Sequence, residues 1–210
     1  SGMKKILFFY PALTDGKSAP TLYTAVPLSV AVLAAQFDPS EFEVEILDGR
    51  LKSYTQQEIK QKCENALFVG ISAITSQQIT NGLAFAQTVK GLYPHLPILW
   101  GGWHASLMPE ETIRHPLCDM VVVGQGERIL PEIARCLRDA KRFDCIPNLL
   151  YRDAQGQIVR TPVKRYADFQ LTDNMQKAYR ALDLTPYLGP QWGNERVVGY
   201  ESSRGCPCAC

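Results

Sequence analysis

Segments with the character of strands and helices alternate five times along this chain. The predicted strands are short, rich in β-branched, Leu and aromatic residues, and mostly stopped by Gly or Pro: Lys4–Tyr10, Phe42–Asp48, Ala66–Ser72, Pro97–Trp100 and Asp119–Val123. A predicted helix follows each strand: Pro27–Phe37, Thr55–Asn65, Gln77–Tyr93, Met108–Arg114 and Ile129–Arg142. Strands that alternate with helices through short loops indicate a parallel sheet covered on both faces.

The third predicted strand supports this fold class. Ala66–Ser72 reads ALFVGIS, a continuous apolar run of the kind buried on both faces of a parallel sheet. We therefore predict an α/β fold with a doubly wound, five-stranded parallel sheet. By analogy with flavodoxin-like folds we expect the strand order 2-1-3-4-5.

The character of the sequence changes after about residue 143. Leu149–Arg152 and Ile158–Arg160 flank a turn sequence and predict a β-hairpin. Residues 161–192 have weak periodicity and are interpreted as a connector, and Val197–Tyr200 is predicted as a short strand. We divide the chain into a tag remnant (1–3), a ligand-binding domain (4–143), a hairpin and linker (144–195) and the start of a further domain (196–210).

Composition excludes several classes of protein. Hydrophobic residues make up 46% of the 210 residues, enough for a sizeable core, and the net charge of +1 argues against a nucleic-acid partner. The apolar runs are too short to span a bilayer, so no membrane association is expected. The seven cysteines are odd in number and clustered, which does not suit a disulfide framework and favours a reducing cytoplasm.

The loops that follow the predicted strands are the expected ligand site, because ligands of open α/β sheets bind at the carboxyl ends of the strands. These loops are built largely from small residues, which leave room and let backbone N–H groups approach a ligand. Several such loops together favour a large ligand lying across the sheet edge with a tail inserted between strands. The candidate residues are Tyr10, Pro11, Ser72, Ala73, Thr75, Ser76, Gly101, Gly102, Trp103, His104, Gly124, Gln125, Gly126 and Glu127.

Simpler interpretations remain open for individual positions. Glycine after a strand is often only a turn, and Gly124-x-Gly126 lacks the third glycine of a dinucleotide fingerprint. Ser72 and Ser76 fit a turn and a helix cap, and His104 fits a hydrogen-bonding loop residue better than a metal ligand.

Three cysteines crowd the end of the chain, in the sequence Cys206-Pro207-Cys208-Ala209-Cys210. Thiolates this close together can ligate a soft metal or an iron–sulfur cluster. Zinc is the alternative, although no second cysteine pair is evident to complete four ligands.

The sequence resembles the cobalamin-binding radical-SAM enzymes, a family that includes many methylases, over nearly its whole length after Met3. Cys206 and Cys210 match the first two cysteines of the family's C-x-x-x-C-x-x-C motif, and Cys208 falls at a variable position. The other marks, in order, are Pro27-Leu28-Ser29, Leu47-Asp48, Gly70-Ile71-Ser72, Gly101-Gly102-Trp103-His104-Ala105, Pro109-Glu110-Glu111, Val123-Gly124-Gln125-Gly126-Glu127 and Arg160-Thr161-Pro162.

The resemblance implies an iron–sulfur site that this chain does not complete. In the family three cysteines bind a [4Fe–4S] cluster, and S-adenosylmethionine (SAM) binds its open iron. The third cysteine would follow Cys210 by three residues, and the catalytic barrel would follow as well. We therefore expect the chain to be an inactive fragment of a larger enzyme, most simply a methyltransferase, with the cluster and SAM bound only in the full-length protein.

The resemblance also implies how cobalamin would be held. The tail would enter a slot near Ser72, Thr75, Ser76, Gly101 and Gly102; Gly124, Gly126 and Glu127 would border its nucleotide end, and Tyr10, Pro11 and Trp103 would touch the corrin rim. Cobalamin-dependent methyltransferases that ligate cobalt from below use His in Asp-x-His-x-x-Gly after the first strand. Here Lys17 stands at the His position and Pro20 at the Gly position, so base-off binding without a His ligand is implied.

Two other functions stay open from the sequence. A flavodoxin-like module could bind another nucleotide such as FMN, with Thr14-Asp15-Gly16 as a weak phosphate-loop candidate. A small iron–sulfur or zinc protein could use the terminal cysteines alone.

Overall fold

A single sheet of seven strands organises the fold in the computed structural model, which describes residues 2–15, 24–165, 172–191 and 194–200. The strands are β1 (Lys4–Tyr10), β2 (Phe42–Asp48), β3 (Ala66–Ser72), β4 (Ile98–Gly101), β5 (Met120–Val122), β6 (Leu149–Arg152) and β7 (Ile158–Arg160). Their order is β2-β1-β3-β4-β5-β6-β7. Strands β1 to β5 run parallel, as predicted, in the expected order.

The predicted strand count of five is too low for the whole sheet. The predicted hairpin of β6 and β7 is confirmed, but it extends the same sheet, with β6 antiparallel to β5. Val121 pairs with Leu150, and both side chains are buried. The hairpin thus covers what would otherwise be an open apolar strand edge, a common use of an antiparallel strand in a mixed sheet.

Helices cover both faces of the sheet. They are α1 (Leu28–Ala34), α2 (Gln56–Cys63), α3 (Gln77–Leu92), α4 (Gly102–Leu107), α5 (Pro109–Arg114), α6 (Ile129–Arg138) and α7 (Thr172–Ala181). Helices α1 and α6 pack on one face, and α2, α3 and α5 pack on the other. Phe68 and Val69 of β3 are fully buried on opposite faces, which confirms the doubly wound prediction.

The segment interpreted as a connector contains regular structure that the sequence analysis does not predict. Helix α7 is followed by a 3₁₀ turn (Thr185–Tyr187) and by a small hairpin of β8 (Gly189–Gln191) and β9 (Asn194–Val197). The strand predicted at Val197–Tyr200 therefore lies three residues too far along the chain. The apolar stripe of α7 is narrow and is buried only because α1 presents small side chains to it, a tertiary contact that weak periodicity does not reveal.

The predicted helices differ from the structure most at α6 and α4. Helix α6 ends at Arg138 and not at Arg142, because Ala140 adopts a left-handed φ of +51° and Lys141 N donates to the carbonyl of Cys136. Helix α4 occupies a segment that the sequence predicts as a loop. No helix in the described ranges combines the length and apolar character needed to cross a bilayer. The domain boundaries at residues 143 and 195 stay predictions.

Two cysteines are expected to be chemically protected by the fold. Cys63 and Cys118 are buried, and burial raises the pKa of Cys63 to about 11 and that of Cys118 to about 12. Cys145 is exposed. At pH 8 we expect iodoacetamide to alkylate Cys63 and Cys118 at least about 100-fold more slowly than Cys145, measured by peptide mass mapping. If Cys63 and Cys118 were alkylated in the folded protein as fast as Cys145, their burial would be contradicted. Unfolding in urea exposes all three thiols and should abolish the difference in alkylation rate.

Candidate functional site

The carboxyl ends of the parallel strands meet at one edge of the sheet, where a ligand is expected. Tyr10 ends β1, Ser72 ends β3, Gly101 ends β4 and Val122 ends β5. The register places Ser72 opposite Gly101. Three separate loops of small residues are therefore brought together, as the sequence predicted.

A narrow slot lies below this edge, between the sheet and helices α1 and α6. Its volume is about 40 Å³. Its apolar walls come from the sheet and from both helices, and glycines make up much of the rest. It is lined by Phe8, Val30, Leu33, Gly70, Ile71, Ser72, Leu99, Gly101, Gly102, Val122, Gly124, Gly126 and Leu130.

Two neighbouring glycines have different roles at the mouth of the slot. A Cβ on Gly101 would enter open space, and the extended backbone at this residue (φ −147°) accepts any side chain. Gly102 has φ +90°, and a Cβ there would lie 2.8 Å from the carbonyl oxygen of Ala73. Gly102 is therefore required by close backbone packing, whereas Gly101 keeps space free.

The loop after β3 is fastened to the first turn of α4. Ala73 N donates to the carbonyl of Gly101 (3.2 Å), and His104 N donates to the carbonyl of Ala73 (3.2 Å). Thr75 Oγ1 and His104 Nδ1 are 2.9 Å apart and share a hydrogen bond. His104 thus acts as a hydrogen-bonding residue that joins two loops at the site.

Ser76 has a structural role, the helix cap that is one of the two interpretations of its position in the sequence. Its hydroxyl accepts a hydrogen bond from Gln78 N (3.2 Å) and caps α3. Ser72, by contrast, lies in the slot lining next to Gly102. The cap already accounts for the position of the Ser76 hydroxyl, so a direct contact between Ser76 and a cofactor stays a prediction.

The loop after β5 leads directly into α6 and closes one side of the slot. Gly124 adopts φ +79°, and its N–H donates to Ser106 Oγ of α4 (2.9 Å). The carbonyl of Gly126 accepts from Ile129 N and Leu130 N and begins α6. Glu127 is buried and Gln125 is exposed. A Cβ on Gly126 would lie 3.2 Å from Leu33, so this glycine allows α1 and α6 to approach.

Several residues that shape the site were not identified from the sequence. Gln78 Nε2 donates to the carbonyl of Pro11 (2.8 Å), and Asn81 Nδ2 donates to the carbonyls of Ala12 (2.9 Å) and Thr14 (3.0 Å). These two amides of α3 hold the chain that leaves β1. In the sequence they stand out only as polar positions on an otherwise apolar helix face.

A cluster of polar side chains lies where β1 and β2 end, and it was also missed. The carboxylate of Asp48 accepts from Arg50 Nε (2.9 Å) and Nη2 (2.7 Å). The Arg50 guanidinium lies 4.5 Å from the centroid of the Tyr10 ring. Tyr187, far along the chain, donates from its hydroxyl to Asp48 Oδ2 (3.0 Å). Tyr10 is thus supported from below by a buried ion pair.

Large apolar side chains are exposed around the same edge. The loops or helices that follow β1, β2, β3 and β4 each contribute at least one. The exposed fraction is 74% for Trp103 and 69% for Leu107, both of α4, and they lie four residues apart on one face. Leu13, Leu51 and Ile74 are the other exposed apolar residues in these segments. Exposed apolar surface at a concave edge is typical of a binding site.

The predicted metal ligands Cys206 and Cys210 lie outside the described residues, as does the loop segment containing Lys17 and Pro20.

Comparison with solved structures reveals the same fold in two enzymes. TsrM from Kitasatospora setae, a radical S-adenosylmethionine methyltransferase solved with cobalamin and a [4Fe–4S] cluster, superposes with a TM-score of 0.62 at 20% identity, over 77% of this chain and 31% of that one. OxsB, a cobalamin-dependent S-adenosylmethionine radical enzyme solved with aqua-cobalamin and S-adenosylmethionine, gives a TM-score of 0.57 at 18% identity, over 78% of this chain and 23% of that one.

Sequence comparison gives a relative and a family. An uncharacterized methyltransferase of Pyrococcus horikoshii is 29% identical over 98% of this chain and 44% of its own length. The chain thus spans less than half of the length of the curated relative that it matches. The model of the B12 binding domain matches residues 19–134, more than half of the chain. The chain belongs to the B12-binding domain family.

Proposed function

We propose that this chain binds cobalamin at the carboxyl edge of its sheet, with the nucleotide tail in the glycine-lined slot. The observation that carries the proposal is the open space above Gly101, in a slot bordered by three small-residue loops. A phosphate-only site needs one such loop, whereas a ligand with a bulky tail needs the whole arrangement. Membership of the B12-binding domain family supports this choice of ligand.

The residues of the slot and of the sheet edge above it fit such a ligand. Ser72, Thr75, Gly101 and Gly102 would hold the tail, and Gly124, Gly126 and Glu127 would border its nucleotide end. The exposed Trp103, with Tyr10 and Pro11, would contact the corrin rim. The exposed apolar side chains of the strand-end loops match the ring plane and methyl groups that the corrin presents beside its amide side chains. Cobalamin, when bound, supplies a cobalt ion able to carry a methyl group, and the protein binds and orients it.

We further propose that cobalt receives no histidine ligand from this domain. The chain has three histidines, and none lies between Pro11 and Val26. His95 precedes β4 and His115 precedes β5, so both lie toward the opposite edge of the sheet. His104 is hydrogen bonded to Thr75. This distribution supports binding without a histidine ligand, and base-off binding is proposed because the nucleotide tail would lie in the slot.

We propose that the full-length protein is a radical-SAM enzyme that transfers a methyl group from SAM by way of cobalt. Cys206 and Cys210 would be two of the three cluster ligands, completed by a barrel domain that these 210 residues do not include. The methyltransferases among the relatives support this proposal. A reducing, cytoplasmic compartment is proposed as well, because the odd and clustered set of seven cysteines does not suit a disulfide framework.

The test is retention of cobalamin by the purified chain. After incubation with hydroxocobalamin and desalting, we expect about one corrinoid per chain by absorbance. After reduction to cobalt(II), the electron paramagnetic resonance spectrum should lack the splitting that an axial nitrogen causes. Absence of any retained corrinoid would overturn the proposal, and retention of FMN in a parallel incubation would favour a different nucleotide-binding module.

A further inference from the structure

Helix α1 separates the slot from the linker, the segment after β7 that contains α7 and the 3₁₀ turn. Val30 and Leu33 of α1 line the slot. On the opposite side of the same helix, Ala31 and Val32 pack against α7, where Met175 and Ala178 are buried with them. A ligand that displaces α1 would therefore also change the packing between α1 and α7.

A second contact joins the linker to the site independently of α1. Tyr187 of the 3₁₀ turn is buried, and its hydroxyl donates a hydrogen bond to Asp48 Oδ2. Burial and the nearby Asp48 charge raise the pKa of Tyr187 above its ordinary value, so the hydroxyl stays a donor. Through Asp48 this contact reaches Arg50, which stacks on Tyr10 and donates from Nη2 to the carbonyl of Ala25 (2.7 Å), just before α1.

The slot must widen to admit a bulky ligand. Its volume is about 40 Å³, whereas pockets that hold small molecules have about 300–1,000 Å³. The strands of its floor are fixed by neighbours on both sides, and α6 is fastened by Arg135 and Arg138, which pair with Glu41 at 2.9 and 3.0 Å. Helix α1 is the remaining wall.

Space for α1 to move lies behind it. A groove of about 800 Å³ is lined by the carboxyl-terminal half of α1, by β2 and by α7. We name it the rear groove, and its lining includes Ala34, Ala35, Ala181 and Leu182. An outward shift of α1 would close the rear groove and bury these apolar side chains against one another, so filling the slot should tighten the packing of α7.

We propose that α7 and Tyr187 are positioning elements of the cofactor site, and that cofactor binding and docking of the linker stabilise each other through α1 and the Asp48–Arg50 pair. This inference rests on the proposed cobalamin function. Because coupling between two sites is reciprocal, the linker that is better docked when cofactor binds also raises the affinity for the cofactor.

The first test uses the wild-type chain and limited trypsin digestion, read by mass spectrometry. Lys177 and Arg180 are exposed on α7, and their cleavage requires local opening of the helix. Saturating hydroxocobalamin is expected to slow cleavage at both by about fivefold or more. Cleavage after Lys141 and Arg142, in the loop after α6, should not change. Equal or faster cleavage of α7 with cofactor overturns the inference.

The second test compares two matched Tyr→Phe variants. Tyr187→Phe removes the bond to Asp48, and we expect the Kd for hydroxocobalamin to rise about fivefold or more. Tyr93→Phe removes a bond to the carbonyl of Lys60 (3.0 Å) on the face of the sheet away from α1, and should match the wild type. An unchanged Kd in Tyr187→Phe overturns the inference.

These outcomes are distinguishable from failure of the proposed function. If the wild type retains no cobalamin, the proposed function itself fails. If the wild type retains cobalamin but shows neither protection of α7 nor an effect of Tyr187→Phe, only the coupling fails. Should Tyr187→Phe not fold by circular dichroism, the protection experiment on the wild type decides alone.

Discussion

Gly101→Leu is expected to weaken cobalamin binding by about 5- to 150-fold while the protein stays folded. The backbone of Gly101 is extended, and a Cβ there meets no atom within 4 Å, so the backbone accepts a side chain at this position. Its side chain would occupy the slot that the nucleotide tail needs. Overpacking of this kind costs about 1–3 kcal/mol, which corresponds to the stated range of Kd. Titration with hydroxocobalamin followed by absorbance measures the effect.

The matched control for this variant is Gly91→Leu. Gly91 lies on the exposed part of α3, and a Cβ there also meets nothing within 4 Å. The same change of volume outside the slot should leave the affinity unchanged. If Gly101→Leu bound cobalamin as tightly as Gly91→Leu, the slot would not be the site of the tail. A loss of binding in both variants would indicate a general effect on folding.

The sheet could be predicted closely because its first three strands carry regular apolar patterns. β1, β2 and β3 begin and end at the predicted residues, since β1 and β3 contain continuous apolar runs and the edge strand β2 alternates between apolar residues and Glu. Pro11 and Gly49 then stop β1 and β2. The positions of small residues at the strand ends followed from the same pattern. These are local features, and short-range pattern is sufficient to find them.

The parts that could not be predicted depend on contacts between distant segments. Helix α7 is ordered by α1, and the bond between Asp48 and Tyr187 joins residues 139 positions apart. Helix α4 begins at glycine and contains Trp103 and Leu107 on its exposed face, so its sequence resembles a loop. Its first turn is instead held by the carbonyl of Ala73.

The residues that line the candidate site were identified from the sequence, whereas the polar residues that hold its loops in place were not. Gly101, Gly102 and Gly124 were identified because several small residues at neighbouring strand ends leave space that a ligand can fill. Gln78, Asn81 and Arg50 were not, because a polar residue on a helix or after a strand is usually only solvated. Their roles appear only when the carbonyls and rings that they contact are known.

Asp48→Ala is expected to destabilise the folded protein by about 3 kcal/mol. Asp48 is buried and accepts hydrogen bonds from Arg50 and from Tyr187. Its removal leaves a largely buried guanidinium and a buried hydroxyl without their acceptor, and breaking a buried pair typically costs about 3–5 kcal/mol. For a chain of this size the thermal midpoint should fall by roughly 6–12 °C. Circular dichroism during heating or urea unfolding measures the change.

The expected fall of the thermal midpoint is larger for the loss of a buried ion pair than for the loss of an exposed one. Asp144 pairs with Arg142 at 2.7 Å, but the side chains of the two residues are 54% and 86% exposed, and such pairs contribute little. Asp144→Ala should leave the midpoint within about 2 °C of the wild type. Asp48→Asn should fall between the two, because the amide oxygen still accepts from Tyr187 while the charge that balances Arg50 is lost. A midpoint for Asp48→Ala no lower than that of Asp144→Ala would mean that solvent replaces the carboxylate, and that the Asp48–Arg50–Tyr187 cluster does not hold the linker to the sheet.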